Sequence, residues 1–184
     1  HVSLQETARV SLRDGADGLV HIFQDAPADE DFVALARTRG AFVVPTLTVV
    51  AGMAGQGNAL PEDPRIAAWL SPEQRGTLEA RMGFGGAHAQ LIENARESVR
   101  RLHAAGVPIL AGSDAPNPNT AHGAAIHEEL AQLVGAGLSP LDALAAATAR
   151  PADAFGLDDR GRIVPGLRAD LVLVEGDPGS EITA

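Results

Sequence analysis

The sequence predicts an α/β fold, half of an eight-stranded barrel followed by a short β-hairpin, and three observations carry that reading. Apolar runs short enough for strands, residues 18–23, 41–50 and 107–111, alternate with stretches of helical period. Such alternation implies a parallel sheet with helices outside it. With a further strand ending just before residue 3, four βα units are present, and a whole barrel of this kind needs about 250 residues.

The elements follow in order. Ser3-Leu-Gln-Glu6 reads as a capping box, with Leu4, Ala8 and Leu12 along one helical face and Gly15 as the stop. Residues 18–23 (GLVHIF) form a strand with His21 near its end. Asp29 caps a second helix that carries Phe32, Leu35 and Ala36 and stops at Gly40. Residues 41–50 (AFVVPTLTVV) are β-branched and apolar throughout, predicting a buried strand bent at Pro45. Between 52 and 86 glycines and prolines punctuate two short helical pieces, 64–70 and a Ser71-Pro-Glu-Gln74 start running to about Met82. Long excursions of this type act as lids or binding loops, here with Trp69, Met82 and Phe84 as apolar anchors.

Leu91, Ile92, Ala95, Val99 and Leu102 then mark an amphipathic helix over 87–105, ended by Gly106. It leads into VPILAGSDAP, a buried strand whose small-residue exit, Gly112 and Ser113, delivers Asp114 before a loop rich in proline and asparagine. Helices follow over 122–135, after Ser139-Pro140, and over 151–155; Glu128 and Glu129 read as a solvated helix face, with support of a ligand histidine by one of them as the alternative, and Arg150 as a structural bridge. Residues 162–164 and 170–174 close the chain as two short strands joined by PGLRA.

Composition narrows the function. The 184 residues carry −10 of formal charge, all 14 basic residues being arginine. Without lysine there is no Schiff-base, Walker or carboxylated lysine within the chain, and an acidic surface without basic clusters argues against nucleic acid. No apolar run reaches the ~20 residues of a membrane span. Cysteine is absent, which removes thiolate and disulfide chemistry. No signal-like N-terminus is present, so cytoplasm is the expected compartment. The opening on His1 and the close just after a strand-like run lead us to expect a segment of a longer protein.

Three groups occupy equivalent places on successive units. His1 sits where a strand would end, His21 ends the next strand one βα period on, and Asp114 ends the last. Strand ends of a parallel barrel converge at its carboxyl-terminal mouth, where two imidazoles and a carboxylate suit zinc or another borderline divalent metal. Residues alone leave the alternative open: a terminal artefact for His1, a core histidine for His21, a turn-forming aspartate for Asp114.

The runs GADGLVHIF, VVPTLT, AGSDAP, HGAAIHEELAQLVGAGLSPLDALAAATARPADAFGL and GRIVPGLRADLVLVEGDP together resemble the metal-dependent amidohydrolase superfamily, in the branch of imidazolonepropionase-like and Xaa-Pro dipeptidase-like enzymes. The resemblance implies the C-terminal half of a TIM-like (β/α)8 barrel over residues 1–157, with 52–86 as insert or lid, and part of a small β-sandwich over 158–184. It implies His1 and His21 as metal ligands after the fifth and sixth barrel strands, and Asp114, after the eighth, as ligand and as the base that takes a proton from the attacking water. His122, opening the next helix, is a candidate for substrate contact. The family's HxH pair and its bridging lysine or glutamate have no counterpart here, which leaves one or two ions open. The implied partners are a small-molecule substrate, the first half of the barrel and, as in relatives that assemble, further copies of the chain. The function implied is metal-assisted hydrolysis of an amide or cyclic amide C–N bond, with ring deamination, or a non-catalytic half-barrel, as alternatives.

Overall fold

A computed structural model describes residues 1–82 and 89–183; Phe84 and His88 lie outside the described residues. Its elements in order are α1 (Gln5–Arg13), β1 (Gly18–Val20), α2 (Glu30–Arg39), β2 (Phe42–Val44), α3 (Leu47–Met53), α4 (Pro64–Ala67), α5 (Pro72–Glu79), α6 (Ala89–Ala104), α7 (Ala125–Gly135), α8 (Pro140–Ala147) and α9 (Ala149–Ala154).

Four chain segments lie side by side. β1 and β2 pair in parallel, with Gly18 opposite Phe42, Leu19 opposite Val43 and Val20 opposite Val44. Val43 bridges Ile109 in parallel on the far side, its N–H donating to Pro108 O at 2.9 Å while Leu110 N donates to Val43 O at 2.8 Å. On the near side Val2 N donates to Val20 O at 3.1 Å. The predicted third strand at 107–111 is thus in place but reduced to a bridge, since only Val43 meets it in register.

The helices pack outside this layer as their apolar spacing requires. Ala8 and Leu12 of α1, Phe32 and Ala36 of α2, and Ile92, Ala95, Val99 and Leu102 of α6 join Leu19, Val43 and Ile109 in one buried core. Each large side chain removed from water there contributes about 1.5–3 kcal/mol. Asp29 caps α2 by accepting from Phe32 N at 2.7 Å, and Gly40 ends it in the left-handed conformation at φ 64°. Ser71 and Gln74 form the expected capping box on α5, and Ser139 accepts from Asp142 N to start α8. Among the described residues no helix is long and apolar enough to cross a membrane.

Several expectations are corrected. The Ser3 capping box does not form: α1 begins at Gln5, whose N–H is taken by Asp25 Oδ1 at 3.0 Å, so a distant carboxylate replaces the local cap. The apolar run 41–50 is strand only to Val44; beyond Pro45 the chain turns at Thr46 and becomes α3, because residues 47–52 are all buried and tertiary packing overrides β-propensity. Trp69 anchors nothing, being 84% exposed; Leu60 and Leu78, buried against Ala121, hold the 52–86 excursion instead. No strand forms at 162–164 or 170–174, where Ile163, Val172 and Leu173 are exposed. A strand needs a ladder partner, and none lies beside these segments among the described residues.

Candidate active site

The carboxyl ends of the side-by-side segments lie together, and the chain leaves three of them in the same unusual way. His21 after β1, Thr46 after β2 and Asp114 after the Ile109 bridge have φ of 68°, 51° and 51°. Left-handed backbone at a non-glycine residue costs on the order of 1–3 kcal/mol and persists where surrounding contacts hold it, commonly at functional sites.

Those contacts are specific. Nδ1 of His21 hydrogen-bonds Thr46 Oγ1 at 2.7 Å, which turns the opposite ring nitrogen toward the N-terminus. That Nε2 lies 2.8 Å from His1 Nδ1 and 3.8 Å from Asp114 Oδ2. The two imidazole rings meet edge to face, centroids 4.7 Å apart. Asn117 Nδ2 donates to Asp114 Oδ2 at 2.9 Å and to its backbone carbonyl at 2.6 Å, fixing the carboxylate. The structure therefore brings His1, His21 and Asp114 together, with His21 as the shared neighbour.

His122 is exposed, and its carbonyl accepts from Gln74 Nε2 at 3.0 Å. This bond, together with Asn119 N to Thr77 O at 2.9 Å and Asn58 Nδ2 to Asn119 O at 2.9 Å, ties the 52–86 excursion to the loop that follows Asp114. His127 is exposed on α7, and His103 lies 3.8 Å from Asp142, which Arg150 also pairs, so that arginine is the structural bridge expected. A cavity of about 750 Å³, lined in part by Asp17, Phe42, Pro108 and Arg150, opens at the opposite, amino-terminal ends of the strands.

One residue of the site, Thr46, was not singled out from sequence, because it lay inside a run read as strand; a second was named but placed mainly on the outside. Glu129 was read as solvent-facing, yet it is fully buried: Oε1 accepts from Leu47 N at 2.9 Å, and Oε2 from Thr48 N at 2.8 Å and Thr48 Oγ1 at 2.9 Å. Burial pushes its carboxyl up to about 7 against the pull of those donors. A signal for it existed in the spacing, since Ala125, Glu129 and Leu133 share one face of α7 and all are buried.

The sequence matches the amidohydrolase family over residues 5–184. The chain belongs to that family. Among curated relatives, an imidazolonepropionase of Cereibacter sphaeroides is 40% identical over 101 residues, 53% of this chain and 25% of that protein. An adenine deaminase of a Methylobacterium species is 55% identical over 42 residues, 23% of this chain and 7% of that protein. A solved prolidase complexed with N-methylphosphonate-L-proline is 26% identical with TM-score 0.66, the match covering 99% of this chain and 39% of that one. The chain thus spans about a quarter of the curated imidazolonepropionase and about two fifths of the solved prolidase.

Amidohydrolases of this superfamily usually bind a divalent metal, and the trio fits one by its chemistry. Two imidazole nitrogens and a carboxylate oxygen are borderline-metal donors. Donors about 2.0–2.2 Å from one ion stand about 3.3 Å apart, between the observed separations of 2.8 and 3.8 Å. As they stand, no three His, Asp or Glu side chains among the described residues close around a single point. Here His1 and His21 share a hydrogen bond instead, and for both nitrogens to face an ion its proton would move to another ring nitrogen.

Proposed function

We propose that residues 1–184 carry one side of the active site of a metal-dependent hydrolase that cleaves the C–N bond of a small polar amide, dipeptide-like or cyclic. The single observation that carries this reading is the meeting of His1, His21 and Asp114 at the carboxyl ends of neighbouring strand segments. The likeness to a prolidase and to imidazolonepropionase supports the substrate class. In this reading residues 1–157 are the second half of the barrel, 158–184 part of a small β-sandwich, and the first half of the barrel completes the site.

His1 through Nδ1, His21 through Nε2 and Asp114 through Oδ2 would hold the ion, for which zinc is our choice. When bound, a divalent cation supplies charge that acidifies water and stabilises negative charge on the scissile carbonyl oxygen. Asp114 Oδ1, free of hydrogen bonds among the described residues, accepts the proton of the attacking water and returns it to the leaving nitrogen. Asn117 keeps the carboxylate from rotating during that exchange. His122, on the exposed turn after the Asp114 loop, contacts substrate at the rim in this reading. The likeness to adenine deaminase favours a second reading, deamination of a ring C=N carbon by the same residues.

The test is hydrolysis by the full-length gene product of three substrate sets: Xaa-Pro dipeptides, cyclic amides and aminopurines. Turnover of one set is expected, lost on chelation, restored by zinc, and reduced about 10²–10⁴-fold in Asp114→Asn. Aminopurine turnover alone would select the second reading. No turnover by metal-loaded protein, or activity indifferent to His21→Ala and Asp114→Asn, would overturn both.

A further inference from the structure

We propose that Glu129 is a positioning residue for this site: by holding the first turn of α3 it fixes Thr46, whose hydroxyl orients the His21 imidazole.

Thr46 is the N-cap residue of α3. An N-cap threonine with extended backbone turns its hydroxyl onto the backbone N–H of the second or third helical residue, but Thr46 is left-handed at φ 51°. Thr46 makes no such bond; its Oγ1 faces away, 2.7 Å from His21 Nδ1. The N–H groups at the start of α3 are claimed from another element, by Glu129 of α7, which takes Leu47 N, Thr48 N and the Thr48 hydroxyl. All of this is buried: Leu47, Thr48 and Glu129 are each 0% exposed, so water cannot serve as a substitute cap. A seven-residue helix has too little cooperativity to hold its own first turn. Without Glu129 the first turn of α3 loses all three of these bonds, and the left-handed turn at Thr46 that aims its hydroxyl at His21 loses its support.

Burial alone does not explain why this position should be a carboxylate, since removing an uncompensated acid from water is costly. The arrangement does: from 82 residues away in sequence one acid satisfies three donors at the start of α3, beside the hydroxyl that holds His21. A hydroxyl can donate or accept, so its bond to the far nitrogen holds the ring orientation, and its loss changes the balance between the two tautomers.

Glu129 thus acts through Leu47, Thr48 and Thr46, touching neither ligand nor substrate. The orientation of His21 follows from the hydrogen bonds alone; the effect on ion binding rests on the function proposed above.

The test is nitrogen NMR of the full-length gene product labelled at histidine nitrogen, without added metal, with His21 assigned from His21→Asn. The parent protein and Thr46→Ser are expected to share one set of His21 nitrogen shifts, and Thr46→Val and Glu129→Gln to show a changed tautomer balance. Thr48→Val removes only one of the three bonds, so that it folds even where Glu129→Gln fails, and is expected to shift the signals in the same direction by less. Unchanged His21 signals in folded Glu129→Gln, or in Thr48→Val if the former does not fold, would reduce Glu129 to a helix cap and overturn the proposal. Zinc titration of the same proteins is expected to show affinity about tenfold weaker in Glu129→Gln. A parent protein that binds no zinc yet shows the tautomer change would sink the metal reading and leave the positioning role standing.

Discussion

At the scale of single residues, the buried carboxyl of Glu129 makes stability depend on pH in a definite direction. Its ordinary value is 4.5 and its folded value about 7. Below pH 4.5 both folded and unfolded chains keep the proton, and no penalty arises. Between 4.5 and 7 the unfolded chain gives it up while the folded chain does not, so stability falls as pH rises, by about 3 kcal/mol in all. Glu129→Gln should flatten that slope in urea titrations run across pH 4.5–8; an unaltered slope would show that another group causes it. His21 and Asp114 were legible as the polar residues closing apolar runs. Thr46 was not, because nothing in VVPTLTVV marks a hydroxyl that leaves the sheet and meets a ring 25 residues upstream. Glu129 was within reach of the helical spacing, but the adjacent pair HEEL hid which of the two acids faced inward.

At the scale of elements, the close approach of segments leaves little room beside the site. A Cβ added at Gly112 would come within 2.5 Å of Val44 Cγ1, and the chain reaches Asp114 two residues later. Gly112→Ala should therefore cost about 1–3 kcal/mol in overpacking, and in zinc titrations it should weaken binding by moving Asp114 from His21. Full retention of both would mean the segment has slack. Asp29 holds α2 from one side and Arg9 of α1, at 2.7 Å, from the other. Asp29→Ala should lower unfolding free energy by about 1–2 kcal/mol with no change in denaturant slope. The caps at Asp29, Ser71 and Ser139 were readable because each bonds within three residues of itself. The start of α1 was not, its partner being Asp25, and neither was the change from β2 to α3, which burial on every side decides rather than local preference.

At the scale of the whole molecule, the parallel layer, the order of its segments and the face that gathers His1, His21 and Asp114 were legible from the alternation of strand and helix periods. The strands predicted near the C-terminus were not realised, since periodicity reports which face a strand would bury but not whether a partner is beside it. Ile163, Val172 and Leu173 are 89%, 87% and 99% exposed. An apolar, unpaired segment of this kind favours self-association. Val172→Lys with Leu173→Glu should reduce self-association of the 184-residue chain in sedimentation velocity, while changing its unfolding free energy by less than about 0.5 kcal/mol. A large loss of stability would show that these side chains already have a partner. The most direct test of the site itself is anomalous diffraction at the zinc edge from crystals of the full-length gene product grown with zinc. The expected result is a peak about 2.0–2.2 Å from His1 Nδ1, His21 Nε2 and an oxygen of Asp114; zinc bound elsewhere, with those three side chains left uncoordinated, would contradict it.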